Sequence, residues 1–212
     1  MVANPELVKP DGVRRLVYKE LLPGDYRKLA GQSNDADTGG GARDLRFPYA
    51  EFDGIFARLL PGQRNLTRRR NGKRIDLAVR TGPVLLDEEA PEGVRTTQEE
   101  MIWESPTDSR PREGRIAQVH ASPAAQRLLL AREEMVTADG QPPRVFALFV
   151  QNDDGELSVH YAYEHELRAG AWAPAVARPM LEHLDNINRR RDRAVIGYID
   201  FVTNIHYAHD VR

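Results

Sequence analysis

Asn65 to Thr81 reads N-L-T-R-R-R-N-G-K-R-I-D-L-A-V-R-T, and this stretch sets the fold class. Asn71-Gly72 is the favoured pair for a type I′ turn, which needs φ > 0 at both central residues and matches the twist of antiparallel strands. The flanks, Asn65 to Arg70 and Arg74 to Thr81, therefore read as the two strands of a β-hairpin. A second hairpin is clearer still: Val145 to Gln151, the turn Asn152-Asp153-Asp154-Gly155, and Leu157 to Tyr163.

Working outward, Arg43 to Phe47, Gly82 to Leu86, Met101 to Glu104, Arg115 to His120 and Ala194 to Thr203 are further short strand candidates. Pro48 opens a helix through Leu60, with Phe52, Ile55, Phe56 and Leu59 at helical spacing. Ser122-Pro123 is an N-cap and first-turn pair for a helix through about Glu134, and a third helix spans Pro174 to Asn188. The acid- and proline-rich stretches 87–95 and 105–114 read as exposed loops. This pattern predicts an α+β fold, an open β-barrel of short strands flanked by helices. The chain reads as a single domain over 1–212, with 165–212 a candidate helical and strand extension.

Just before the first of these helices lies Asn34 to Pro48, N-D-A-D-T-G-G-G-A-R-D-L-R-F-P. Glycine lets a backbone approach a partner closely, and Asn, Asp and Thr side chains build compact turns. Arg43 and Arg46 add forked donors suited to phosphate or to a guanine edge. A glycine-rich connection is also an ordinary structural turn, and the sequence leaves both readings open.

The chain has 212 residues and a net charge of −2, so bulk charge does not announce a nucleic-acid partner. Charge is segregated, however. Arg64, Arg68, Arg69, Arg70, Lys73, Arg74 and Arg80 lie close together, whereas acids gather at Asp87 to Glu92 and Glu99 to Glu104. Segregation of this kind presents one positive face on a neutral protein. Arg68, Arg69 and Arg70 alternate between the two faces of a strand, so at most two of them share a side. They suit a phosphate-contacting arm or an edge charged against unwanted pairing. Arg189, Arg190, Arg191 and Arg193 suit a helix C-terminus.

Chemistry finds little footing. There is no cysteine, which removes disulfides, thiolate metal sites and a Cys nucleophile. The residues two places before the four lysines are Leu7, Val17, Tyr26 and Asn71, so the (Asp/Glu)-x-Lys triplet of a common Mg²⁺ nuclease core is missing. Phosphate-loop, nucleophile-elbow and dinucleotide motifs are absent too. No catalytic residue, cofactor or metal is expected. His206 and His209 follow a strand-like run and read as half-buried surface. The N-terminus has no signal-like apolar stretch, no run is long enough to span a bilayer, and the expected location is the cytoplasm.

The order Asn34-Asp35, Thr38-Gly39-Gly40, strand, Pro48, then a helix ending in Leu59-Leu60-Pro61, preceded by the basic strand Val17-Tyr18-Lys19, resembles one family. It is similar to the effector-binding, DNA-binding pseudobarrel domain of EcoRII-type restriction endonucleases. The likeness covers residues 16–61. It departs from the family pattern by one residue between Asn-Asp and Thr, and by Gly41-Ala42 where a His-Gln pair is usual. The resemblance implies an open barrel gripping double-stranded DNA with two strand-loop arms. The first arm would carry Asn34, Asp35, Thr38, Gly39, Gly40, Arg43 and Arg46. Charge placement alone suggests the second, with Arg68, Arg69, Arg70, Lys73 and Arg74. The expected function is sequence- or modification-sensing DNA binding in a restriction or phage-defence system, with a catalytic domain or subunit outside this chain as a further partner. The alternatives are a small metal-dependent nuclease using Asp76, Glu156 and Glu164, or an α+β protein-interaction module.

Overall fold

A computed structural model describes residues 9–22, 44–70, 73–90, 93–107, 110–117, 123–131, 143–187 and 193–211, together with Asp25, Leu29 and Gly140. The strands are β1 (Val13–Glu20), β2 (Leu45–Pro48), β3 (Gly62–Arg70), β4 (Lys73–Ala90), β5 (Gly93–Glu104), β6 (Glu113–Ala117), β7 (Val145–Asn152), β8 (Leu157–Tyr163), β9 (Ala194–Asp200) and β10 (Ile205–Val211). The helices are α1 (Tyr49–Leu59), α2 (Pro123–Ala131), α3 (Glu164–Ala169) and α4 (Pro174–Asn186).

All ten strands belong to one sheet in the order β10-β9-β1-β7-β8-β4-β5-β6-β2, with β3 added on β4. Every pairing is antiparallel except β4 with β8, which meet in parallel only at Leu85–Leu86. The sheet curls into an open half-barrel, and α1 shows why. One short helix touches strands from both ends of the sheet. Phe52 meets Tyr207 of β10 and Tyr198 of β9 at ring separations of 5.7 and 5.5 Å. Phe56 lies against Trp103 of β5 at 4.3 Å, and both helix rings pack on Phe47 of β2. A flat sheet could not bring these strands to one helix. Burying such aromatic side chains is the main source of stability here, at roughly 1.5–3 kcal/mol each.

A second layer covers the outer side of β1, β7 and β9. Leu16, Tyr18, Phe146, Leu148 and Ile199 pack there with Val176, Met180 and Leu184 of α4. Strands buried on both faces lose the apolar–polar alternation, which explains the unbroken apolar run Val145–Val150. Gly197 is fixed by this layer, because an added Cβ would overlap the Tyr18 hydroxyl. Asp200, fully buried, ties α1 to the sheet: it accepts hydrogen bonds from Arg58 at 2.5 Å and Arg15 at 3.1 Å. Burial acts to raise its pKa, yet these two guanidinium bonds prevail and hold the carboxyl below its ordinary value.

The α+β open-barrel expectation therefore matches the molecule, and two local expectations need correction. The stretch 87–95 was expected as a loop. Instead β4 runs unbroken for 18 residues, and its far half pairs with β5 through Ala90 opposite Gly93. Thr96, Thr97 and Val94 favour extended backbone, which a reading led by acids and proline overlooks. The described residues also hold four helices, not three, since α3 follows β8 directly. Segment 165–212 supplies α4, β9 and β10, and β9 pairs with β1 along Arg15–Lys19.

Candidate nucleic-acid interface

β3 and β4 pair in register from Gly62 opposite Thr81 to Arg70 opposite Lys73. β5 joins β4 only from Val79 onward. Among the described residues, the six pairs from Asn65–Ala78 to Arg70–Lys73 consequently have no third strand in this sheet, and they form an arm about 20 Å long. The sequence explains this shape. Leu77 and Val79 at the root are buried with Ile102 and Ala117, and Leu66 and Ile75 pack against them, whereas from Thr67 outward the residues other than Ile75 are charged or polar up to the Asn71-Gly72 turn pair.

Side chains on the arm alternate between faces. By register, Arg74 shares one face with Gln63, Asn65, Thr67, Asp76 and Arg80, and Arg64 shares the other with Leu66, Ile75, Leu77 and Val79. In the backbone pairing Arg68, Arg69 and Arg70 stand opposite Ile75, Arg74 and Lys73. Thr67 donates to Asp76 across the pair at 2.6 Å, which engages the one acid among residues 64–80. Arg74 is exposed.

Arg46 occupies a different setting. It sits on β2 and is partly exposed, within 3.7 Å of Asp44 and 3.9 Å of Glu113. It belongs to a row running across the sheet through direct partners: Arg64, Val79, Glu104, Arg115 and Arg46. Within that row Arg115 bridges buried Glu104 at 2.5 Å and Asp44 at 3.3 Å. Ion pairs thus link Arg46 with Arg115, and two strands, β6 and β5, separate it from the arm. Asn34, Asp35, Thr38, Gly39, Gly40 and Arg43 lie outside the described residues.

At the arm's root the concave face opens into a cleft of about 400 Å³. Tyr49 and Asp53, one turn apart on α1, face Gln63 and Asn65 of β3 and Arg80 of β4 across it. Trp103 donates its indole N–H to Asp53 Oδ1 at 3.0 Å, and the Arg80 Nε lies 3.5 Å from the same oxygen. The Tyr49 ring is parallel to that of Trp103. Both rings need Gly114, where a Cβ would overlap the Trp103 ring. Sequence reading missed this cleft. Its signals were Tyr49 and Asp53 four apart on a helix and Gln63 and Asn65 two apart on a strand, but nothing in the sequence says that the two elements meet.

The alternative acids are not gathered. Asp76 is on the arm, Glu156 bonds Asn152 at the β7–β8 turn, and Glu164 opens α3 and pairs with Arg168. Among the described residues, no group of three or more His, Cys, Asp or Glu could hold a metal ion. His206, on β10, instead faces His183 of α4 at 2.5 Å, and His183 in turn meets the Tyr18 hydroxyl at 3.0 Å. Burial first, and the neighbouring His206 second, push the His183 imidazole down to about 4. No helix among the described residues is long and apolar enough to cross a membrane. Comparison with protein-family models, with curated proteins and with solved structures finds no significant match for this chain.

Proposed function

We propose that this protein binds double-stranded DNA through the β3–β4 arm and performs no chemistry of its own. The observation that carries the reading is the arm itself: a two-stranded ribbon with no third strand beside it among the described residues, bearing five cations and one acid over residues 65–78. A two-stranded ribbon fits the major groove, which is about 12 Å wide, and β-ribbon readers dock in this way. Arginine forks on both faces of such a ribbon can reach phosphates on the two groove walls. The resemblance of residues 16–61 to the DNA-binding domain of EcoRII-type endonucleases supports the same reading. It suggests a sequence- or modification-sensing role in a restriction or phage-defence system, with the catalytic part supplied by another domain or subunit.

The experiment is duplex binding by fluorescence anisotropy with divalent metal chelated, followed by addition of Mg²⁺. Binding undiminished by the chelator and no cleavage on adding Mg²⁺ is the expected result. Metal-dependent cleavage would replace this reading with the nuclease alternative.

A further inference from the structure

The concave cleft has a chemistry that gripping a backbone does not require. Arg80 lines it as a cation, and Asp53 stands beside it as an acceptor, its Oδ1 held by Trp103 and Arg80, whereas Arg64 lies on the other face of β3 and pairs with Glu100 at 2.5 Å. Gln63 and Asn65 are exposed and two apart on β3, so their amides share one face. Among the described residues their side chains have no hydrogen-bond partner. The Tyr49 ring, stacked parallel to Trp103 with an interplanar angle of 6°, adds an aromatic wall.

A free phosphate would use Arg80 but would be repelled by Asp53 and would leave the amides idle. A neutral sugar would leave the cation idle. A nucleotide uses all of them: its base edge alternates donors and acceptors as the amides do, an exocyclic amine suits the carboxylate, and its phosphate suits the Arg80 guanidinium. The cleft volume falls within the range of about 300–1,000 Å³ found for small-ligand sites.

We propose that this cleft is a nucleotide-binding site in which Asn65, Gln63 and Asp53 hold the base edge and Arg80 the phosphate. The nucleotide comes either from solution or from a duplex gripped by the arm. In the second case the site deepens the DNA reading and rests on it.

The chain has two tryptophans, so its two indole N–H signals in a ¹H–¹⁵N spectrum are assigned by a Trp172→Phe variant. Titration with dAMP, dCMP, dGMP and dTMP should shift the Trp103 signal saturably for at least one of them. Trp172, in the outer layer, should not move. Asn65→Ala, at an exposed position, should weaken that binding by about five- to tenfold, and deoxyribose 5-phosphate should leave Trp103 unshifted. No shift with any nucleotide, an equal shift with the sugar phosphate, or unchanged affinity in Asn65→Ala each overturns the proposal.

A duplex carrying 2-aminopurine distinguishes the sources. A fluorescence rise on binding, lost in Asn65→Ala, assigns the nucleotide to DNA. No rise, with mononucleotide binding retained, assigns it to solution. Duplex binding without mononucleotide binding removes the cleft proposal alone, and the converse removes the arm proposal alone.

Discussion

Between Asn65 and Ala78 the arm is rich in charge, and among the described residues its pairs have no third strand of the sheet beside them. Around β1, β7 and β9 the same sheet is buried on both faces, by aromatic packing within and by α4 without. The two regions share one hydrogen-bonding pattern and differ in where their side chains go. Stability is concentrated in the body, because burial and tight packing supply most of it. The arm contributes little burial and is free to carry a charge pattern that a folded core would not tolerate. Substitutions in the body should therefore change stability and leave binding by the folded molecule intact, and substitutions in the arm should do the reverse.

The largest effect expected is on the body. Phe56→Ala removes a fully buried ring packed on Trp103, Phe47 and Phe149, and should cost about 3–5 kcal/mol. Urea unfolding measures this, and duplex affinity measured where the variant is still folded should be unchanged. Loss of binding by a folded Phe56→Ala protein would break the division between the two regions.

A comparable effect should appear with pH. His183 in the folded protein takes up a proton only near pH 4, whereas in the unfolded chain it does so near 6.5. Between these values the unfolded state binds more protons, so its contribution to stability is complete above about pH 6.5 and is lost as pH falls towards 4. The total is on the order of 3 kcal/mol. Denaturation midpoints across this window should fall more steeply with acid for the parent protein than for His183→Gln. Parallel curves would show that His183 does not titrate as its burial requires.

Next comes the arm. Arg69→Glu, Arg70→Glu and Arg74→Glu together should weaken duplex binding by at least about 100-fold at moderate salt, since each lost phosphate contact removes released counterions. The melting temperature should stay within a few degrees, because Arg74 is exposed and charges on a two-stranded arm away from the packed body affect stability little. A melting temperature that fell with affinity would mean that the arm is part of the structural framework.

The smallest effect sharpens the contrast. Arg46→Ala should cost less than about threefold in affinity, because Asp44 and Glu113 already engage that side chain and partly exposed ion pairs of this kind contribute little. A loss of 1–3 kcal/mol confined to one DNA sequence would instead make Arg46 a guanine reader.

The sequence made the local pieces legible where a single period or turn signal governed them. The Asn71-Gly72 pair announced the arm, Val145–Tyr163 its most regular hairpin, and Phe52, Ile55, Phe56 and Leu59 the helix face that fills the barrel. Long-range outcomes were harder. Strand β10 follows β9 after only Phe201 to Asn204, and its mixed residues Ile205 to Val211 carry no strong alternation, so its pairing depends on β9. The continuous β4 was hidden because its acidic far half and Pro91 have the composition of a loop, while the extended preference of Val94, Thr96 and Thr97 lies on its partner β5. The cleft was invisible because Tyr49 and Asp53 meet Gln63 and Asn65 only through the curl of the sheet. Arg46 read as a free donor because its partners Asp44 and Glu113, one near in sequence and one far, come together only in the β2–β6 pairing.

The central claim, that the arm grips duplex DNA by its phosphates, is tested most directly by the salt dependence of binding. About six phosphate contacts predict that log affinity falls against log salt with a slope near −5, and that Arg69→Ala lowers the magnitude of this slope by about one. A slope near zero, or no measurable duplex binding at about 50 mM salt, would contradict the account.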